Sequence, residues 1–219
     1  MHFQFLIEDQ SSEELIKALM KKIIQENASV SFDSKSFRGI GGFTKRNTVK
    51  ETKTGKLLND LATYLRGFNK SLQGISATVV IVLDNDDRDT ALFRSQLEQV
   101  VTENRITIDH VFCIAVEEVE AWLLGDKEAL LRAYPRAKLQ VLQFYTQDSI
   151  CGTWELLADV VYFGGLKKLR RDLPSYREVG KIKAEWAKNI GIHMDLNHNE
   201  SPSFAYFIAE IHKRIAFVT

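Results

Sequence analysis

Apolar residues along this chain of 219 residues alternate between two spacings. Short continuous runs, Phe3-Gln4-Phe5-Leu6-Ile7, Ala77 to Leu83 and Val111-Phe112-Cys113-Ile114-Ala115-Val116, have the form of strands buried on both faces. Val30 to Phe37 predicts a weaker strand, because Ser and Asp interrupt it. Between these runs, apolar positions recur at helical spacing. Leu15, Ile16, Leu19, Met20, Ile23 and Ile24 follow Ser11-x-x-Glu14, which has capping-box form. Leu57, Leu58, Leu61, Tyr64 and Leu65 mark a second helix, and Leu92, Phe93, Leu97, Val100 and Val101 a third, capped by Asp89 or Thr90. Glu117 through Leu124 reads as a further helix ending at Gly125. Strand alternating with helix predicts βαβ crossovers and a mostly parallel, Rossmann-like α/β sheet flanked by helices.

From about Asp126 the pattern changes. Helical segments are predicted around Lys127 to Ala133, Thr153 to Leu169, Ile182 to Lys188 and Phe204 to Phe217, with Ser201 and Pro202 starting the last one, and no clear strand separates them. The expected organisation is an α/β core over residues 1–125 and a helical extension over 126–219, packed on the core as one unit.

Composition narrows the class without choosing a function. At 45% hydrophobic and 26% charged residues the chain has ordinary globular content. Zero formal charge argues against a protein that coats nucleic acid by bulk electrostatics. No basic leader and no run approaching about 18 apolar residues is present, so the expected location is the cytoplasm, with no membrane partner. Cys113 and Cys151 have neither metal-ligand nor redox spacing and read as reduced thiols, and His193 and His198 fall in a polar loop. Trp122, Trp154 and Trp186 fit helix faces and are expected in the core. The most basic stretch follows Gly39, Gly41 and Gly42; in it Lys45, Arg46 and Lys50 are candidates for contact with nucleic-acid phosphates, although the spacing is not that of a P-loop.

The candidate chemistry lies where the apolar runs end. Asp84-Asn85-Asp86 follows the central run, and Glu8 follows the first. In open α/β folds ligands bind outside the carboxyl ends of the strands. If the chain stays extended, Asp84 and Asp86 project to the same side and converge on one hard cation such as Mg²⁺. Three carboxylates at one edge repel unless a cation or a pKa shift compensates. Glu117 and Glu120, after the fourth strand, would share a helical face and add metal ligands, with Glu118 pointing elsewhere.

Phe5-Leu6-Ile7-Glu8, the helix after it, and Val80-Ile81-Val82-Leu83-Asp84-Asn85-Asp86 resemble the Toprim domain, the catalytic fold of topoisomerases, primases and OLD-type nucleases, over roughly residues 1–125. In that family a strand-end glutamate pairs with a later strand-end Asp-x-Asp; the glycine that usually follows the glutamate is Asp9 here. Ala115-Val116-Glu117-Glu118-Val119-Glu120-Ala121-Trp122 and Ser201-Pro202-Ser203-Phe204 are similar to segments of a Toprim-like family encoded beside ABC-type ATPases. The resemblance implies Mg²⁺ or Mn²⁺ held by Asp84 and Asp86, and Glu8 as general acid/base or shared ligand. It also implies a nuclease or related phosphoryl-transfer activity on DNA or RNA, and work with an ABC-type ATPase in phage defence or genome maintenance. Two other readings remain open at this level. One is a non-catalytic Toprim-like protein that binds nucleic acid or regulates an ATPase. The other is a metal-dependent glycosyltransferase, which accounts for Asp-x-Asp but not for Glu8.

Overall fold

The computed structural model describes residues 1–44 and 54–217. Its α/β part runs β1 (His2–Ile7), α1 (Gln10–Glu26), β2 (Ser31–Ser36), α2 (Leu57–Ser71), β3 (Ala77–Asp84), α3 (Thr90–Glu103) and β4 (Asp109–Ala115). The four strands form one parallel sheet in the order β2-β1-β3-β4, with Phe5 of β1 opposite Ser34 on one side and Val80 on the other. Strand order reverses between β1 and β3, which makes their carboxyl ends the topological switch point.

Side chains alternate across the sheet and so divide the core into two layers. Phe3, Phe5, Ile7, Val80, Val82 and Cys113 face one layer, and Leu6, Val79, Ile81, Leu83, Phe112 and Ile114 face α2 and α3 in the other. Every residue of β3 is buried, as its unbroken apolar run requires. β2 lies at the sheet edge and buries none of its residues fully, which is why its sequence carries Ser and Asp.

After β4 come α4 (Glu120–Leu124), α5 (Lys127–Ala133), a 3-10 turn (Leu139–Phe144), α6 (Thr153–Val161), α7 (Gly165–Asp172), α8 (Tyr176–Gly191) and α9 (Pro202–Ala216). These helices share the first core layer with α1 and the sheet through Trp122, Leu130, Leu157, Leu169, Trp186 and Phe207. Trp122 of α4 stacks on Phe207 of α9, with ring centroids 5.2 Å apart. α8 lies so close along α1 that a Cβ on Gly191 would stand 2.9 Å from Leu15 Cδ1 and 3.0 Å from Ala18 Cβ. Among the described residues no helix is long and apolar enough to cross a membrane.

Three local expectations are corrected. Asp9, not Ser11, caps α1: its Oδ1 accepts the Ser12 N–H at 2.8 Å, and Ser11 lies inside the helix and donates its hydroxyl to Asp9 Oδ2. Thr153 to Leu169 is two helices, broken where Gly164 and Gly165 take φ of 88° and 69°, outside the helical range. α4 starts only at Glu120, because Glu117 adopts φ of 60°.

Candidate active site

β1 and β3 place Glu8 and Asp84 side by side at the switch point. Glu8 continues the ladder past Ile7, its N–H donating to Val82 O at 3.1 Å. Its Oε2 accepts the backbone N–H of Asp84 at 3.0 Å, which fixes the carboxyl against the end of β3. Asp84 Oδ1 accepts the N–H of Val119 at 2.9 Å, so Asp84 also ties β3 to the turn after β4. Both side chains are buried, Glu8 9% and Asp84 7% exposed. Burial first, then the charges of Asp9 and Asp86, raise Glu8 to about 7 against the opposing hydrogen bond from Asp84 and the charge of Arg88. Asp84 lies well above the ordinary aspartate range, first through burial and then through Glu8 and Asp9.

The turn after β4 adds two more acids. Glu120, at the start of α4, is 1% exposed, and Glu118 lies beside it. Burial followed by the charge of Glu120 raises Glu118 to about 8, against Lys183. Burial likewise raises Glu120, again against Lys183. Lys183 reaches this cluster from α8, with Nζ 3.2 Å from Glu120 Oε1 and 3.5 Å from Glu118 Oε1. Burial disfavours its charge, yet Glu120, Glu118, Asp84 and Asp9 together raise its pKa. Glu120 meets Lys183 as an ion pair, and Glu118 Oε2 and both Glu120 oxygens accept no hydrogen bond from the described residues.

Asp86 and Glu117 do not sit where regular spacing would put them. β3 ends at Asp84, and Asp86 adopts φ of 50°, so the alternation that would align it with Asp84 is broken. Asp86 pairs with Glu117 in an isolated antiparallel bridge, its N–H donating to Glu117 O at 2.9 Å. Its carboxylate lies at the rim, 2.5 Å from Arg88 Nη1, and its charge still reaches Glu8. Glu117, with φ of 60°, shares no helical face with Glu120. Its carboxylate instead accepts the N–H groups of Cys151, Gly152 and Thr153 at 3.1, 2.7 and 3.0 Å, which anchors the start of α6. Glu117→Ala is expected to lower stability by about 2 kcal/mol, since three donors lose a charged acceptor. Thermal melting reads the loss; unchanged divalent-cation affinity in the variant separates this anchoring role from metal ligation.

Sequence spacing missed Glu118, Asp9 and Lys183. Lys183 did leave a signal: with Val179, Trp186, Ala187 and Ile190 it occupies the apolar stripe of α8, where a lysine needs a buried partner. Lys45, Arg46 and Lys50 lie outside the described residues. Both flanks of their segment are held beside Glu8: Gly39 N–H donates to Glu8 O at 3.0 Å, and Arg38 N–H to Gly55 O at 2.8 Å. Asp60, buried in α2, secures the far flank by accepting the N–H groups of Thr54 and Gly55.

As the side chains stand, no three His, Cys, Asp or Glu among the described residues form a group that could hold a metal ion. Lys183 occupies the space between Glu118 and Glu120, and Asp86 is turned to Arg88. The donor set nevertheless suits a hard cation: buried carboxyl groups, two of them with unpartnered oxygens, that outnumber the one ammonium beside them. No curated protein and no solved structure matches the chain. A family model described as a domain of unknown function, DUF4276, matches residues 7–212, nearly the whole chain and every acid of the cluster, and the chain belongs to that family.

Proposed function

We propose that the carboxyl edge of the sheet is the centre of a divalent-cation-dependent phosphoryl-transfer enzyme acting on nucleic acid, a nuclease in its simplest form. The observation that carries this reading is the pair Glu8 and Asp84, delivered by adjacent parallel strands to the switch point and held buried against their mutual repulsion. Asp84 and Glu120 would hold Mg²⁺ or Mn²⁺, with Glu118 beside them and Glu8 kept for proton transfer. When bound, the cation supplies Lewis-acid charge to a phosphate oxygen.

The chain's own groups divide the remaining work. Glu8, raised to about 7, is poised to take or return a proton near neutrality, and the Asp84 N–H fixes its orientation. Val119 N–H orients Asp84. Lys183 holds Glu118 and Glu120 in place and supplies positive charge on the side of α8. The basic composition of residues 45–53, whose described flanks at Arg38, Gly39 and Gly55 are tied beside Glu8, supports a phosphate-bearing substrate. The resemblance to Toprim nucleases points the same way.

Purified protein incubated with labelled DNA and RNA is expected to cleave one of them with Mg²⁺ or Mn²⁺ and not with EDTA. Glu8→Gln is expected to slow cleavage about a hundredfold or more, within the range by which a positioned general acid/base accelerates a reaction. A metal-independent product pattern, or full activity in Glu8→Gln, overturns the assignment. A protein that binds the oligonucleotides without cutting them matches instead the non-catalytic Toprim-like reading.

A further inference from the structure

From Gly164 through Lys183 the chain carries seven lysines and arginines against only Asp172 and Glu178, although its total charge sums to zero. α7 and the first turns of α8 place Lys167, Arg170, Arg171, Arg177 and Lys181 on the surface. Where the two helices meet they enclose, with α6, a groove of about 470 Å³ whose lining includes Trp154, Glu155, Arg170, Leu173, Tyr176 and Val179. Tyr176 is 98% exposed, an aromatic ring left in water at the lip of the groove. Trp154, expected in the core, is only partly buried. Arg170 Cζ lies 6.0 Å from its ring centroid, and the Arg170 guanidinium also pairs with Glu155 at 3.4 Å.

The groove is joined to the acidic cluster through one atom. Lys183 Nζ stands 5.9 Å from the Trp154 ring and 3.2 Å from Glu120 Oε1. An aromatic and cationic groove thus lies beside the carboxylates proposed to act on a phosphate. Aromatic rings that accept bases, interleaved with cations that track the backbone, are the physical requirements for holding a single strand. A duplex keeps its base faces stacked internally and offers only its backbone, so it leaves Tyr176 and Trp154 without a ligand.

We infer that the groove between α6, α7 and α8 is a nucleotide subsite for single-stranded nucleic acid. A base stacks at Tyr176 and Trp154, the flanking phosphates run along Arg170 and Arg171, and the next phosphate lies at the acidic edge. The inference rests on the phosphoryl-transfer reading of that edge. It assigns strand recognition to the helical half of the chain.

Fluorescence anisotropy of the full chain in EDTA, with labelled single-stranded oligonucleotides and their duplexes, tests it. Single strands, DNA or RNA, are expected to bind at least about tenfold more tightly than duplex. Tyr176→Ala should weaken single-strand binding about tenfold. Arg170→Gln with Arg171→Gln should lower the slope of log K against log salt by about 1.4, while Arg66→Gln, on α2 across the sheet, should change neither quantity. Thermal melts confirm that the surface variants are folded. Equal affinity for duplex, or unchanged single-strand binding in the Tyr176 and Arg170/Arg171 variants, overturns the subsite. If binding follows the expected pattern but Mg²⁺ brings no cleavage, the phosphoryl-transfer reading fails and the strand-binding surface stands. If cleavage depends on Glu8 while these variants bind normally, the reverse holds.

Discussion

Asp84→Asn is expected to abolish divalent-dependent cleavage and, in the same molecule, to raise the melting temperature of the metal-free protein. The substitution keeps shape: an asparagine Oδ1 still accepts the Val119 N–H, and Glu8 still accepts the N–H of residue 84, which belongs to the backbone. What disappears is a buried negative charge facing Glu8, Asp9, Glu120 and Glu118. Altering a partner of a metal ligand already costs 10–100-fold in affinity or activity, so losing a ligand itself should cost at least about a hundredfold in rate and eliminate the calorimetric signal for Mn²⁺. The same loss relieves repulsion in the apo state, and each kcal/mol regained moves the midpoint by about 2–4 °C in a chain of this size. A variant that cuts like wild type, or one that is less stable at pH 8 without metal, contradicts the assignment of Asp84 as a strained ligand.

The second large effect is a dependence of stability on pH that a divalent cation removes. Glu8, Asp84, Glu118 and Glu120 all bind protons more tightly in the fold than in the unfolded chain. For a group raised in this way, the contribution to stability is fully present below the unfolded pKa and is lost as pH climbs through the folded one. With Glu8 at about 7 and Glu118 at about 8 against an ordinary 4.5, the window runs from there up through about 8. The Glu8 shift alone corresponds to roughly 3 kcal/mol across that window. Metal-free protein should therefore melt progressively lower as pH rises from about 5 to about 9. Saturating Mg²⁺ or Mn²⁺ should restore the midpoint most at the alkaline end, where the acids have given up their protons. A midpoint that climbs with pH, or a metal effect largest near pH 5, contradicts this picture. Lys183 limits the effect, since its ammonium already offsets Glu118 and Glu120.

The sheet was legible because its buried strands are continuous apolar runs of fixed length, and even β2 was visible once its polar residues were allowed an edge position. Glu8 and Asp84 were legible for the same reason: a charge directly after such a run must lie at the edge of the sheet. Spacing failed two and three residues further on. Asp86 and Glu117 both take positive φ, and neither strand alternation nor helical periodicity survives that conformation. The two residues are bonded to each other, so each unusual turn is supported by a partner from another strand. Glu118 was set aside on helical geometry that begins only at Glu120. The Lys183 pairing spans 65 residues and leaves no local motif, only a lysine in an apolar stripe. The cationic α7 was hidden by the neutral sum of the chain and by the denser basic segment after Gly42.

Lys183 has a consequence for how the chain is made. Translation releases Glu8, Asp84, Glu118 and Glu120 before Lys183, which trails Glu118 by 65 residues. At roughly 5–20 residues per second, several seconds separate the two events. During that interval the nascent sheet carries its acids without the ammonium of Lys183, while Arg88 already pairs with Asp86. Docking of α8, whose Gly191 packs closely on α1, is thus the step that completes the edge. A chain halted before that helix emerges holds Glu118 and Glu120 without the ammonium that pairs with them in the finished fold.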